Sequence, residues 1–411
     1  MIGRNHLKVA FAAALLASDG VGATRFDRPT VVNAFDERRG SGFDAPLPTA
    51  KGGAVQSDKP FVYIQDVPAE GNYRVSVTLG GPEKSVTTVR AELRRLMLKE
   101  IAVPAGDRRR LSFIVNIRTP HLPHGGRVFL NQPRETITEA DAWDRRITLE
   151  FTGKMPAVRE VSVEPVNRPT VYLLGDSTVT DQPAEPYTSW GQMITALFLP
   201  KIAFANHSES GESISGALEK RRVDKVLSLI RPGDTLMLQF GHNDMKKAST
   251  DPTAPALFQK QMTDVALEAR AKGATVIILT PVSRHSFEDG RIANSFLDYP
   301  ERSRAAAKAA GATLIDLNVS SAELYEALGP EKSWALFKPK VAGEKIDATH
   351  HSAYGAWEVA KLVALGIQDS HLALAASIRP GFHFDPSQPD PIDEFTLPPS
   401  SVRTVQRPLG D

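Results

Sequence analysis

The sequence predicts an α/β fold built on a parallel sheet, preceded by an antiparallel β-sandwich or jelly roll. Between about residues 24 and 165, short runs alternate apolar and polar residues at the period of half-buried strands, with turn signals between them. From about residue 170, apolar runs alternate with segments of helical spacing, which is typical of parallel strands covered by helices on both faces. The change of pattern at Arg168-Pro169 predicts a domain boundary there.

Length supports this division, because 411 residues exceed one typical domain. A hydrophobic content of 41% is enough for real cores. We predict a β-sandwich domain over residues 24–167, an α/β domain over residues 168–376 and a Pro-rich C-terminal tail over residues 377–411. Phe382, Phe384 and Phe395 are the candidate packing anchors of the tail.

Charge and cysteine content exclude several classes of function. The 49 basic and 48 acidic residues leave a net charge of +1, so no global field favours nucleic acid or an anionic membrane. The cluster Arg108-Arg109-Arg110 is interpreted as part of a solvated loop. The absence of cysteine excludes disulfides, thiolate metal sites and a cysteine nucleophile.

The N-terminus has the pattern of a secretory signal peptide over residues 1–23. Arg4 and Lys8 precede an apolar run over residues 9–17, and small residues follow up to Ala23, the predicted cleavage site. The run is too short to span a membrane. We therefore expect a secreted or periplasmic protein that begins near Thr24, without membrane insertion; the alternative is an N-terminal helix of the mature fold.

The individual elements follow from the same patterns. In the first part, strands are predicted over residues 61–64, 73–79, 111–117, 147–151 and 161–163. In the second part, strands are predicted over residues 171–174, 202–205, 235–240, 275–279 and 313–317. Helices are predicted over residues 190–199, 217–230, 256–271, 302–310 and 356–366.

Polar clusters follow these predicted strands where ligands gather in open α/β sheets, at the carboxyl edge. The first is the turn Gly175-Asp176-Ser177-Thr178. Three more come after later strands: Asn206-His207-Ser208-Glu209-Ser210-Gly211, Gly241-His242-Asn243-Asp244 and Asp347-Ala348-Thr349-His350. Each cluster alone is ordinary turn chemistry, but four of them at corresponding edges indicate a site.

The clusters contain the groups that serine-based acyl transfer needs. Ser177 is the candidate nucleophile, His350 the candidate base and Asp347 the group that orients the base. The candidate oxyanion donors are the backbone N–H groups of Ser177 and Gly211 and the side-chain amide of Asn243.

Other interpretations of these residues remain open from the sequence. His350 beside His351 is also compatible with a surface pair or part of a metal site, although convergent ligands at a known spacing are missing, so no metal is predicted. His242, Trp190 and Glu212 are weak candidates for substrate binding. Further candidates for lining the cleft, with structural roles as the alternative, are Glu185, Tyr187, Arg284 and His285.

With these motifs the chain resembles the GDSL-type serine esterases of the SGNH hydrolase superfamily. More narrowly it is similar to rhamnogalacturonan acetylesterases, in the stretches at residues 175–181, 190–192, 239–244 and 349–356. The resemblance covers about residues 170–370.

That resemblance implies a flavodoxin-like, three-layer domain and a Ser177–His350–Asp347 triad with an oxyanion hole from Ser177, Gly211 and Asn243. It also implies removal of acetyl groups from rhamnogalacturonan or other pectic polysaccharide without a cofactor. By resemblance to larger related enzymes the β-rich region is galactose-binding-like, either contacting polysaccharide or serving only as a packing domain. The alternatives are another SGNH esterase, such as a xylan acetylesterase, lipase or thioesterase, or a non-catalytic glycan-binding protein.

Overall fold

The structure is a computed structural model that describes residues 24–25, 34–44, 52–338, 346–402, 404 and 408. The predicted signal peptide over residues 1–23 lies outside these residues. None of the described helices is long and apolar enough to cross a membrane.

The first part of the chain forms two antiparallel sheets of five strands each. One contains β1 (Thr24–Arg25), β3 (Val55–Gln56), β5 (Gly71–Leu79), β8 (Arg109–Ile117) and β10 (Ala157–Pro165). The other contains β2 (Ser41–Phe43), β4 (Phe61–Asp66), β6 (Ser85–Ala91), β7 (Arg95–Val103) and β9 (Arg146–Lys154). Buried side chains from both sheets form one hydrophobic core, as alternating strands with one apolar face require.

A parallel sheet of five strands forms the second part, and this confirms the predicted α/β architecture. Its strands are β11 (Thr170–Gly175), β12 (Ala203–Asn206), β13 (Thr235–Gln239), β14 (Thr275–Leu279) and β17 (Thr313–Ile315), in the order β12-β11-β13-β14-β17. Between β14 and β17 in the sequence is a short antiparallel hairpin of β15 (Phe287–Glu288) and β16 (Arg291–Ile292).

Helices cover both faces of the parallel sheet. They are α1 (Trp190–Met193), α2 (Ile214–Glu219), α3 (Arg222–Leu229), α4 (Ala254–Ala271), α5 (Tyr299–Ala310), α6 (Leu317–Lys332) and α7 (Ala353–Asp369). Short 3-10 helices span Arg134–Thr136, Ala140–Trp143, Ile194–Leu197, Asp244–Ser249, Ser333–Leu336 and Ala373–Ser377. Val171 and Leu173 of β11 pack with α1, α6 and α7, whereas Tyr172 and Leu174 pack with α2 to α5. Apolar residues on both faces of a strand therefore correspond to a sheet buried on both sides.

Some predicted elements differ from the structure, and some elements were not predicted. The helix predicted over residues 217–230 is two helices, because Arg221 adopts a left-handed conformation (φ 63°) between α2 and α3. Arg109 and Arg110 begin β8 rather than forming a loop, with their side chains exposed at the sheet end. Strands β6 and β7 and helix α6 fall in segments that the patterns left unassigned.

The two parts of the chain are joined by buried contacts. Arg95 of β7 forms an ion pair with Asp181 (2.9 Å), in the loop after β11, and both side chains are 2% exposed. Gln192 Nε2 donates to the backbone oxygen of Leu93 (2.7 Å), and Leu96 lies in the core that contains α1 and α7. The antiparallel region thus packs directly against loops that carry the polar clusters.

The C-terminal tail contacts both parts of the chain. Phe384 is buried, and Phe382 and Phe395 pack against the core of the parallel sheet, as expected of packing anchors. Farther along, Ser400 donates from its hydroxyl to Glu150 of β9 (2.8 Å) and from its backbone N–H to Glu185 (3.3 Å). The tail therefore crosses from one part of the chain to the other.

Candidate active site

Ser177 lies in a tight turn at the carboxyl end of β11, an internal strand of the parallel sheet. A Cβ at Gly175 would stand 2.6 Å from the backbone oxygen of Gln239 on β13, so only glycine fits where the strand ends. The turn is closed by the N–H groups of Val179 and Thr180, which both donate to the carbonyl of Asp176 (3.0 Å each). Ser177 is thereby held at the sheet edge with a side chain that is almost fully buried.

His350 and Asp347 meet Ser177 at this edge. Ser177 Oγ lies 2.9 Å from His350 Nε2, and His350 Nδ1 lies 2.9 Å from Asp347 Oδ2. The other carboxylate oxygen of Asp347 accepts from the backbone N–H of Thr349 (3.0 Å) and of His350 (2.9 Å). Ser352 then caps α7 by accepting from the N–H of Gly355, so the histidine sits just before a fixed helix start.

The tautomer of His350 follows from these contacts. A carboxylate only accepts hydrogen bonds, so Nδ1 carries a proton and donates to Asp347. In the neutral ring Nε2 is then the acceptor, and the Ser177 hydroxyl donates to it. This arrangement can take a proton from the serine and stabilise the imidazolium that results.

Gly211 and Asn243, two of the candidate oxyanion donors, line the same cleft. Gly211 has φ 77° and is exposed, which leaves its backbone N–H accessible. Asn243 Nδ2 donates one hydrogen to the backbone oxygen of Glu212 (3.0 Å), and its Oδ1 accepts from Lys246 (3.3 Å). The second amide hydrogen of Asn243 remains for a ligand, with the amide orientation fixed by Lys246. Together with the N–H of Ser177, these groups have the composition of an oxyanion hole.

A buried ion pair lies directly beneath the nucleophile. Asp176 accepts from the N–H (2.9 Å) and hydroxyl (2.8 Å) of Thr178 through one oxygen, and its other oxygen lies 3.0 Å from His242 Nδ1. Burial raises the pKa of Asp176, but the charge of His242 and the hydrogen bonds outweigh it and hold the pKa below its usual value. His242 Nε2 faces the backbone oxygen of Val282 (3.1 Å). Both ring nitrogens of His242 therefore face acceptors, to each of which a ring N–H can donate.

The weak candidates for substrate binding do not face open space. Trp190 is 0% exposed and donates from Nε1 to Gln239 (2.7 Å). Glu212 is 2% exposed and pairs with Arg222 and Lys220, while His242 is 1% exposed in the pair just described. Their burial leaves no surface for a substrate, so these three residues support the site from inside the protein.

The further cleft candidates divide between structural and cleft positions. Glu185 pairs with Arg94, Arg284 donates to the hydroxyl of Thr349 (3.2 Å), and His285 stacks on a tryptophan ring. Tyr187 alone of this group lines the cleft beside the oxyanion donors. Its ring meets His350 edge-on, with ring centroids 6.0 Å apart.

His351 is not part of a surface pair. It is 1% exposed, and the Tyr325 hydroxyl is hydrogen-bonded to His351 Nε2 (2.8 Å). Burial, with the neighbouring His350, lowers the pKa of His351 to about 3, so the ring is neutral. A neutral, hydrogen-bonded core histidine explains this residue without a metal.

The buried carboxylates of Glu135, Glu139 and Glu209 lie close together. Arg134 pairs with Glu209 and Glu139, and Arg222 pairs with Glu135. Burial and the charges of Glu139 and Glu135 raise the pKa of Glu209 well above its usual value. The two guanidinium groups of Arg134 and Arg222 supply positive charge beside the carboxylates.

A cleft of about 1140 Å³ opens beside Gly211 and Asn243. Gln182 lines it and donates to the backbone oxygen of Ser177 (2.7 Å), and residues 131–139 of the antiparallel region form part of its wall. Sequence reasoning missed both contributions. Residues 131–139 carry no catalytic motif, and only the tertiary contacts bring them to the site.

Comparison with known proteins agrees with this site. Residues 173–354 match the GDSL-like lipase/acylhydrolase family. Rhamnogalacturonan acetylesterase RhgT of Bacillus subtilis (strain 168) is 41% identical over 214 residues, which cover 50% of this chain and 91% of RhgT. Probable rhamnogalacturonan acetylesterase YesY of the same bacterium is 36% identical over 212 residues, covering 51% of this chain and 96% of YesY.

A longer match reaches into the antiparallel region. The uncharacterised esterase YxiM of Bacillus subtilis (strain 168) is 27% identical over 360 residues, covering 82% of this chain and 86% of YxiM. Its crystal structure has a TM-score of 0.48 to this chain, at 25% identity, and the match covers 83% of this chain and 94% of that chain. On the family match and the identity to RhgT, the chain belongs to the GDSL-like lipase/acylhydrolase family and is an ester hydrolase.

Proposed function

We propose that this chain is an exported serine esterase that removes O-acetyl groups from plant cell-wall polysaccharide, with rhamnogalacturonan as the first candidate. The observation that carries the proposal is the continuous contact from Ser177 Oγ through His350 to Asp347, at 2.9 Å for each step. The names of RhgT and YesY support rhamnogalacturonan as the polymer.

The proposed reaction proceeds through an acetyl-enzyme. Ser177 Oγ attacks the acetyl carbonyl carbon while its proton moves to His350 Nε2. The oxyanion accepts hydrogen bonds from the N–H groups of Ser177 and Gly211 and from the Asn243 amide. His350 then returns the proton to the sugar oxygen as the C–O bond breaks, and the deacetylated sugar leaves.

The second half repeats the chemistry with water. His350 takes a proton from a water molecule, whose oxygen attacks the acetyl carbon of the ester on Ser177. Collapse of this second tetrahedral intermediate breaks the bond to Ser177 Oγ and returns the proton to it. Acetate is the second product, and no cofactor takes part.

The exposed lining of the cleft is largely apolar, with the charged side chains of Arg134, Lys220, Lys246 and Lys247 along it. A sugar is proposed over a long acyl chain on the names of RhgT and YesY. Export is proposed from the residues 1–23 alone, and N-terminal sequencing of secreted protein should begin near Thr24.

Replacement of the nucleophile tests the proposal. In Ser177→Ala, acetate release from acetylated pectin should fall by several orders of magnitude, because the nucleophile and its base act as a unit. The unfolding temperature should change little, since alanine keeps the Cβ atom of serine and only the hydroxyl is lost. Ser228→Ala on α3 is the matched control and should keep activity. Retained activity of Ser177→Ala would reject the mechanism, and activity on acetylated xylan or mannan in preference to pectin would reassign the polymer.

A further inference from the structure

A tight turn joins β6 to β7 in the antiparallel region. Two of its residues, Glu92 and Arg94, have left-handed backbone conformations, with φ of 55° and 63°. Such conformations are uncommon for residues other than glycine and persist where the surrounding contacts hold them. Glu92 is fixed to β9, since its N–H donates to the carbonyl of Thr148 (3.0 Å) and its carboxylate accepts from the N–H of Thr148 (3.1 Å). The turn is therefore held by its own sheet, and the side chain of Arg94 contacts the other part of the chain.

Arg94 extends from this turn to the segment 182–187, which follows the proposed nucleophile. Its Nη1 donates to the backbone oxygens of Gln182 (3.1 Å) and Tyr187 (3.0 Å), and its Nη2 forms an ion pair with Glu185 (2.6 Å). Arg94 is 7% exposed, so these contacts lie inside the protein. One planar guanidinium thus holds both ends and the middle of the segment, and a lysine ammonium lacks this fork of donors.

Gln182 connects this contact to the reacting groups. Its backbone oxygen accepts from the guanidinium and also from Gln192 Nε2 (2.9 Å). Its side chain donates from Nε2 to the backbone oxygen of Ser177 (2.7 Å) and to Ser210 Oγ (3.3 Å). Because Ser210 precedes Gly211, the side chain of Gln182 joins the residue of the proposed nucleophile to the loop of a proposed oxyanion donor. A fixed Gln182 therefore keeps these two groups at a fixed separation.

We propose that Arg94 is a positioning residue for ester hydrolysis, acting through Gln182 on the separation of Ser177 and the N–H of Gly211. Arg94 is not among the described residues that line the cleft, so it acts without touching the substrate. The inference rests on the proposed function, because it takes Ser177 as the nucleophile. It assigns the antiparallel region a part in the rate of the reaction as well as in packing.

The first test separates the ion pair of Arg94 from its hydrogen bonds to the segment. Arg94→Lys keeps a positive charge beside Glu185 but loses the fork that reaches two carbonyls. With p-nitrophenyl acetate as substrate, kcat should fall about ten- to a hundredfold, the size of effect expected when reacting groups are displaced by up to about 1 Å. KM should change by less than about twofold, because no substrate contact is removed.

Arg221→Lys is the matched control for this substitution. Arg221 also has a φ of 63°, and its Nη2 forms an ion pair of 2.6 Å with Asp224. The control variant should keep the wild-type kcat. Arg94→Gly, in which the left-handed backbone is unstrained, is a second variant and should show a loss of kcat at least as large as that of Arg94→Lys.

A double-mutant cycle tests whether Arg94 acts through Gln182. Gln182→Ala should itself lower kcat, because it removes the contact between Ser177 and Ser210. The kcat of the Arg94→Lys/Gln182→Ala variant should be no lower than that of the more impaired single variant, since both changes release the same contact. A double variant whose loss is the product of the two single losses would overturn the inference.

Rates are compared at a temperature below the unfolding transition of every variant, so that a loss of kcat does not report a loss of folded protein. If the wild-type protein does not hydrolyse the ester, the proposed function itself fails. If the wild-type protein is active and Arg94→Lys and Arg94→Gly keep its kcat, only this inference fails.

Discussion

At the scale of single residues, the Asp176–His242 pair links the two halves of the site. Asp176 precedes Ser177, the proposed nucleophile, and His242 precedes Asn243, a proposed oxyanion donor, and the side chains of Asp176 and His242 are buried. The two ring nitrogens of His242 face two acceptors, the carboxylate of Asp176 and the carbonyl of Val282. The positions of Ser177 and Asn243 therefore depend on one buried pair of opposite charges.

We predict that both ring nitrogens of His242 donate hydrogen bonds, one to Asp176 and one to the carbonyl of Val282. Nitrogen NMR of protein labelled at histidine should show a proton on each ring nitrogen of His242, whereas His351 should show a neutral ring at pH 7 because its pKa is about 3. A ring nitrogen of His242 without a proton would contradict the assignment.

Breaking this pair should be costly. Asp176→Asn leaves the imidazolium without its counter-charge and should lower the free energy of unfolding by about 3–5 kcal/mol, together with kcat. Asp298→Asn, at a half-exposed position before α5, should change the unfolding energy by less than about 1 kcal/mol. Denaturant unfolding of both variants measures the difference.

At the scale of elements, β7 stabilises the loop that follows the nucleophile. Arg95 pairs with Asp181 four residues after Ser177, and its guanidinium also donates to the backbone oxygen of Phe204 on β12 (3.3 Å). One strand of the antiparallel region thus contacts two loops at the edge of the parallel sheet. The alignment to RhgT covers only half of this chain, and Arg95 lies outside residues 173–354, which match the GDSL-like family.

We predict that Arg95→Met destabilises the protein by about 3–5 kcal/mol, because Asp181 stays buried without its partner. Arg110→Met is the control, since its pair with Glu160 is exposed and worth less than about 1 kcal/mol. Denaturant unfolding followed by tryptophan fluorescence gives both values. Equal losses for the two variants would show that the buried pair does not join the regions.

At the scale of the whole molecule, buried carboxyl groups make stability depend on pH. Burial raises the pKa of Asp244 to about 7, against opposing hydrogen bonds from the N–H groups of Ile214 and Gly241. Burial likewise raises the pKa of Glu358 to about 7, opposed by Lys361. A carboxyl whose pKa is raised on folding favours the folded state at low pH, and this contribution is lost as the pH rises through the folded pKa.

We therefore expect the unfolding temperature to fall as the pH rises from about 4.5 to about 8. In Asp244→Asn the fall should be shallower, because the group that must lose a proton is gone. Asp264→Asn, exposed on α4, should keep the wild-type slope. Calorimetry across this range measures the slopes, and parallel curves for wild type and Asp244→Asn would exclude the contribution of Asp244.

Local patterns were sufficient for the parallel sheet and for the neighbourhood of the site residues. Strands with two apolar faces require helices on both sides, and parallel strands bring their carboxyl ends to one edge. Ser177, Gly211 and Asn243 each follow a strand, so the sequence alone placed them together. The family was also readable from these short motifs. Their catalytic roles stay predictions until the variants are measured.

The tertiary structure decided what joins distant segments. Residues 131–139 form part of the cleft wall, and Arg95 forms an ion pair with Asp181. These contacts join segments more than 40 residues apart in the sequence, and the periodicity of a segment does not predict them. Trp190, Glu212 and His242 are candidate substrate contacts from the sequence, but in the structure they are buried inside the protein and support the site from there. The sequence by itself determined which candidate site residues lie together, because each of them follows a strand and the strand ends share one edge of the sheet. Only the packing of the antiparallel region against that edge decided the shape and charge of the cleft, because both depend on side chains from both parts of the chain.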